Sequence, residues 1–172
     1  MSKNFNLNID GLDYKKVDPK LKKVRRIILA VFILIGIIAN TAFNISIFFI
    51  DSFGFSVLIA PIVVYILLVV FFIWMWWLIG RQVDNYKYAK AEKDIVISKG
   101  VLFRRVEVIP YGRMQFVDVQ QGPLLRYYGL ASVTLHTASS ESLMPIIGMK
   151  EPDAKALRQE LIELGESNLA GI

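Results

Sequence analysis

Between Arg26 and Arg81 the chain carries a single charged residue, Asp51, and nothing else in its 172 residues constrains the fold as strongly. Two apolar runs, Ile27–Ile50 and Ser56–Ile79, flank the short break Asp51-Ser52-Phe53-Gly54-Phe55. Each run is 24 residues long. A helix of that length extends about 36 Å, more than the roughly 30 Å of a bilayer's hydrocarbon core. The first run contains 16 Ile, Leu, Val and Phe residues, and Asn40, Thr41, Asn44 and Ser46 offset only part of their favourable transfer. A soluble helical hairpin would normally show a polar face on at least one helix, whereas neither run carries a charged residue. The sequence therefore predicts transmembrane helices over 27–50 and 56–79, joined by an external loop at 51–55.

Flanking charge orients the pair. Lys22, Lys23, Arg25 and Arg26 abut the first run, Arg81, Lys87, Lys90 and Lys93 follow the second, and the loop has no Lys or Arg. The positive-inside rule puts both termini in the cytoplasm, giving a multi-pass protein of the cytoplasmic (inner) membrane. Trp74, Trp76 and Trp77 stand where an aromatic belt would mark the cytoplasmic interface. The apolar run is too long for a cleaved signal peptide, and no convincing small-residue cleavage site follows it. The absence of cysteine excludes disulfides and thiolate metal sites.

The basic balance is concentrated at the membrane edge. Residues 1–26, a basic N-terminal segment, hold eight Lys and Arg against three Asp, whereas residues 81–172 hold twelve against eleven Asp and Glu. Such a placement serves topology and attraction to anionic lipid, and leaves nucleic-acid binding without support. Within the soluble part, residues 81–126 are net basic and 127–172 net acidic.

Gly36, Asn40 and Asn44 recur every four residues on one face of the first helix, a stripe that lets helices approach and hydrogen-bond in lipid. Tyr65 falls at the depth of Asn40 in an antiparallel hairpin, making these four the candidate helix-packing residues. No ionisable residue lies mid-span, which argues against a transport pathway.

Beyond residue 84 the apolar period changes from helical to two. Ile95–Ser98 and Val101–Ile109, joined at Lys99-Gly100, predict a hairpin with a tight glycine turn. Pro110-Tyr111-Gly112 breaks the chain. Arg113–Gln121 changes phase near Phe116, as a β-bulge would require. Leu124–Gly129 predicts an irregular or 3₁₀ turn, and Leu130–Thr137 a strand with Ala131, Val133 and Leu135 inside. Ser139-Ser140-Glu141 predicts a turn, and Leu143–Ile147, with Pro145, an edge strand. A helix beginning at Glu151-Pro152-Asp153 shows an apolar stripe of Ala154, Leu157, Leu161 and Leu164, with Gly165 as its stop. Short antiparallel strands closed by one helix predict a small barrel-like or roll domain over 84–165, followed by a tail at 166–172.

Ile109-Pro110-Tyr111-Gly112-Arg113-Met114-Gln115, Gln121-Gly122-Pro123-Leu124-Leu125-Arg126 and Gly129-Leu130-Ala131-Ser132-Val133 together resemble the second family of bacterial pleckstrin-homology (PH) proteins, membrane-anchored after a pair of spans. Met114 replaces the usual isoleucine, and Ser139 and Ser140 stand where glycines are usual after Thr137-Ala138. The resemblance covers about residues 20–165. It implies a membrane α-helical hairpin plus a mostly-β PH-like domain, with two near-orthogonal antiparallel sheets and a C-terminal capping helix. It does not imply phosphoinositide recognition.

Catalytic chemistry is missing from the sequence. His136 stands on the polar face of a strand with no second ligand or nucleophile, and no phosphate loop, nucleophile elbow or metal spacing occurs. Glu107 and Asp118 suit surface carboxylates matched to nearby arginines. The expectation is a non-enzyme without metal, cofactor, nucleic-acid partner or evident small-molecule substrate. Arg104, Arg105, Arg113 and Arg126 are the candidate contacts to a partner or to lipid phosphate. Three functions stay open: a non-catalytic scaffold or assembly module, which the sequence favours; an anionic-lipid sensor; and a subunit of a membrane enzyme or transporter. The expected partners are membrane lipids and either another membrane protein or a second copy of the chain.

Overall fold

The computed structural model describes residues 12–50, 56–137 and 145–170. The chain divides into two compact units, one of residues Lys22–Arg81 and the other of the chain up to Leu21 together with Gln82 onward.

The first unit is a helical hairpin. Helix α1 spans Lys20–Ile50 and α2 spans Ser56–Asp84. Within them, Lys20–Ser46 and Ile59–Asp84 each contain an 18-residue window, of mean hydropathy 2.3 and 2.8, and only 6% of either window is covered by protein. Such helices are at home only in lipid. Gly36 lies on the α1 face turned to α2, where a Cβ would come within 3.9 Å of the Leu68 side chain. Thr41 Oγ1 donates to the Ile37 carbonyl at 2.7 Å and meets the Tyr65 hydroxyl at 2.8 Å, so Tyr65 supplies the proton of that interhelical bond. Tyr65 thus finds Thr41 rather than the adjacent Asn40. Asn40 is engaged along its own helix, where Asn44 Nδ2 donates to its carbonyl at 2.6 Å and its side-chain oxygen at 3.3 Å.

The second unit holds two antiparallel sheets and a capping helix. One sheet has the order β1(Lys15–Lys16)-β2(Lys87–Lys90)-β3(Asp94–Lys99)-β4(Arg105–Pro110). The other has the order β5(Met114–Gln120)-β6(Leu130–Thr137)-β7(Ile146–Lys150). The central strand β3 is buried on both faces, from Ile95 to Ser98. On β6, Ala131, Val133 and Leu135 are buried and Ser132, Thr134 and His136 are not, as the alternation predicts. The phase change at Phe116 is a register shift between Met114 and Phe116. Helix α4, Glu151–Ala170, places Ala154, Leu157 and Leu161 in the core, closing the second sheet. The last strand is at an edge, as predicted, but β7 runs Ile146–Lys150, past the predicted end at Ile147, and Pro145 stands just before it rather than within it; the predicted loop at 51–55, the turn at 139–141 and the strand start at Leu143 lie outside the described residues.

Four local expectations need correction. The β3–β4 connection is the five-residue loop Gly100–Arg104, and β4 begins at Arg105, not Val101. Gly100 has φ +123°, and a Cβ there would fall 1.9 Å from the Phe103 carbonyl oxygen, so the loop folds tightly over its glycine. Pro123–Tyr127 forms a short α-helix, α3, because Pro123 suits a first turn and Gly129, at φ +67°, ends it with its N–H on the Arg126 carbonyl. Helix α4 runs through Gly165, which is buried near the Tyr111 carbonyl and has no positive φ to force an end. Residues 15–21, placed by the sequence in a separate N-terminal segment, belong to the β unit. Lys15 and Lys16 pair with Tyr88 and Lys87, and Val17 and Leu21 are buried. The Asp18 N–H donates to the Gly148 carbonyl at 2.8 Å. Gly148 is the extra residue of a bulge in β7, at φ +89°, and a Cβ there would meet the Leu21 side chain at 2.7 Å.

Candidate membrane and partner surfaces

Cations and indoles converge at one end of the helical hairpin. The Arg26 guanidinium lies 4.3 Å from the Trp76 ring centroid, and that of Arg81 lies 4.2 Å from the Trp77 ring. Stacked pairs of this kind present an apolar body and a charged edge together, the composition of a membrane–water interface.

The β unit does not gather the four candidate arginines into one site. Arg104 and Arg105 stand where the β3–β4 loop enters β4, and Arg105 pairs with Glu107 at 2.7 Å. Arg113 is exposed in a 3₁₀ turn, Tyr111–Arg113, beyond the other end of β4. The six residues of β4 extend about 20 Å, so these two groups cannot hold one headgroup together. Arg126 is exposed on α3, past the far end of β5 from Arg113. Glu107 and Asp118 stand in different sheets, Glu107 pairing with Arg105 and Asp118 accepting from Gln120 Nε2 at 2.6 Å. His136 stacks on Phe116 with centroids 4.1 Å apart.

The residues that carry the family resemblance divide into a buried and an exposed set. Tyr111 is fully buried, and its hydroxyl donates to the Ala91 carbonyl at 3.0 Å, tying the 3₁₀ turn to the β2–β3 connection. Gln121 Nε2 donates to the Leu130 carbonyl at 2.9 Å, holding the two ends of the α3 excursion together. Between those anchors α3 projects outward. Tyr127 is 83% exposed and Leu124 is also exposed, with Arg126 between them in sequence. Tyr127 packs edge-on against Tyr128, which stiffens the projection. The sequence had singled out Arg126 but not Leu124 or Tyr127, whose exposure depends on the turn being helical.

Ionisation in the β unit follows packing. Burial, reinforced by the Asp153 and Glu160 carboxylates, raises the Tyr88 phenol above its ordinary value. Burial, with Glu160 and Asp94, does the same to Tyr111. Hydrogen bonds from Lys155 and Gln121 lower the Glu151 carboxyl. Among the described residues no three His, Asp or Glu side chains are grouped as metal ligands. A cleft between β5 and the start of α4 is lined by Asp118, Gln121, Glu151, Lys155 and Arg158. Its charges are largely satisfied internally, Lys155 on Glu151 at 2.7 Å and Arg158 Nε on the Val117 carbonyl at 3.3 Å.

Two apolar helices, two antiparallel sheets and a closing helix define a membrane protein with a PH-like domain. Residues 20–164 match the family model described as the bacterial PH domain, and the chain belongs to that family. It is 33% identical over 87 residues to the UPF0699 transmembrane protein YdbS of Bacillus subtilis (strain 168), an alignment covering 45% of this chain and 55% of that protein. The chain thus spans about half the length of that curated relative. No solved structure matches the chain.

Proposed function

We propose that the chain is a non-catalytic scaffold of the bacterial cytoplasmic membrane, whose PH-like domain docks a neighbouring integral membrane protein on the cytoplasmic side. The observation that carries this reading is α3. An amphipathic knob of Leu124, Arg126 and Tyr127 is held out from the domain by two internal anchors, the Gln121–Leu130 bond and the Gly129 turn. Exposed Tyr and Arg on a rigid support are the residue types that dominate binding energy at protein interfaces. The pairing of β1 with β2 supports the topology, since strands bonded to each other across a two-span insertion must lie on the same side of the bilayer.

Photo-crosslinking in native membranes tests this. A crosslinker at Tyr127 is expected to capture one integral membrane protein, and Leu124→Ala with Arg126→Glu is expected to abolish that adduct. A crosslinker at Lys93, exposed on the β2–β3 connection, should not capture it. Identical adducts from both positions, or none from Tyr127, would refute docking at α3.

A further inference from the structure

The β3–β4 loop is built unlike a solvent loop. Its tip places Leu102 at 76% and Phe103 at 89% exposure, side by side. Lys99 precedes the tip, Arg104 and Arg105 follow it, and the only carboxylate over residues 99–108 is Glu107. A flexible loop would shed two such side chains onto the sheet. Here the turn is fixed by Gly100, whose φ of +123° brings the Phe103 carbonyl over a position no side chain can share. The tip is therefore held outward by backbone geometry.

Strand register decides at which end of the sheet the loop lies. Lys16, the last residue of β1, pairs with Lys87, the first of β2. Lys87 pairs in turn with Ser98, and Lys99 with Arg105. The end of the first sheet where the chain leaves for α1 and returns from α2 is thus the end from which the Gly100–Arg104 loop projects. The tethers are short: Val17, Asp18 and Pro19 separate β1 from α1, and Asn85 and Tyr86 separate α2 from β2. Two extended residues reach about 7 Å, and the helical residues Lys20–Arg26 and Gly80–Asp84, which add about 11 and 8 Å at 1.5 Å per residue, lie between these tethers and the predicted spans. Lys16, Lys87, Lys99, Arg104 and Arg105 all belong to this end of the sheet.

We infer that Leu102 and Phe103 form a wedge that enters the headgroup–acyl boundary of the same bilayer the spans cross, with Lys99 and Arg104 on the phosphates above it and Arg105, paired with Glu107 at 2.7 Å, behind them. Apolar side chains with flanking cations match an anionic interface on both counts, by burial of apolar area and by charge. A protein groove would satisfy the two apolar residues but gives no reason for cations on both sides at the span-proximal end of the sheet. The wedge would fix the tilt of the domain on its two tethers. It uses residues distinct from those of α3, so failure here leaves partner docking at α3 standing.

The chain has no cysteine, so single-cysteine variants of the full protein can carry a fluorophore at Leu102, Phe103 or, for comparison, Lys93 at the opposite end of the same sheet. The variants are reconstituted in vesicles of phosphatidylglycerol and phosphatidylethanolamine, and quenched either by doxyl-labelled lipid or by aqueous iodide. Labels at Leu102→Cys and Phe103→Cys are expected to be quenched several-fold more by the doxyl lipid than Lys93→Cys, and several-fold less by iodide. Arg104→Gln with Arg105→Gln, or replacement of the lipid by phosphatidylcholine, should reduce that contrast. Phe103→Asp should release a label at Leu102 into water; a label that stays in lipid would be inserting on its own account and would overturn the wedge. Iodide quenching equal to that at Lys93 would overturn it as a solvent loop. Protection from both quenchers would overturn it in favour of a protein cover.

Discussion

The two sheets of the β unit are assembled from chain of very different reach. The second sheet and α4 come from one stretch, Met114–Ala170, with hairpin partners adjacent in sequence. The first sheet takes its β1 from Lys15–Lys16 and its neighbour β2 from Lys87–Lys90, with both spans between them. Closing so long a loop in a free chain costs entropy that a two-residue strand could not recover. An antiparallel pair of spans returns the chain to where it started, so the membrane hairpin itself closes the loop. The second sheet therefore depends on its own core, while the edge of the first depends on membrane insertion.

The sharpest contrast lies in the cores. Leu161 is fully buried where α4 closes the second sheet, and Leu161→Ala should lower the stability of the β unit by about 2–5 kcal/mol. Denaturant unfolding of the full chain in detergent, read by far-ultraviolet circular dichroism of the sheet signal, checks this. An unchanged midpoint would mean that the second sheet does not rely on α4. Gly148 joins the two systems, since its bulge receives Asp18 and Leu21 from the N-terminal strand. Gly148→Ala combines a positive φ with a displaced Leu21 and should cost about 1–3 kcal/mol. It should also raise protease sensitivity between residues 12 and 19, while a second-sheet variant such as Leu161→Ala lowers stability throughout.

A smaller effect comes from the two phenols. Tyr111→Phe deletes the bond to Ala91 and should cost about 0.5–1.5 kcal/mol. Both Tyr88 and Tyr111 hold their protons more tightly when folded than when unfolded. Their contribution is complete below the unfolded value of about 10 and falls as pH rises through the folded values. A titration of unfolding midpoint against pH should therefore slope downward above about pH 10, and Tyr88→Phe should flatten that slope. A flat profile in the unsubstituted chain would show that neither phenol is shielded.

Much of this was legible because it depends on local pattern. The spans follow from the absence of charge, β6 from its alternation, α4 from its leucine stripe, and the bulge near Phe116 from a phase change. What was hidden depends on backbone conformation or on distant chain. Val101-Leu102-Phe103 has the composition of a strand, and only the conformation of Gly100 turns it into a protruding loop. Lys15-Lys16 has no strand signature at all, and its pairing is imposed by Val17 and Leu21 entering the core beside Gly148. That the candidate arginines are spread over several strands was legible, but their places at opposite strand ends follow only from where β4, β5 and α3 begin and end. Leu124 and Tyr127 were missed as surface residues because an apolar side chain in a short turn looks the same in sequence whether it points in or out.

The central claim is that the β unit closes across the membrane hairpin, with β1 and β2 paired from either side of the two spans. Because the chain has no cysteine, Lys16→Cys with Lys87→Cys can be oxidised in the full protein in membranes and followed by mass spectrometry. The pairing predicts a rapid intramolecular disulfide, far faster than for Lys16→Cys with Lys93→Cys, which lies beyond the opposite end of β2. Equal, slow oxidation of both pairs would show that the N-terminal strand is not part of the domain.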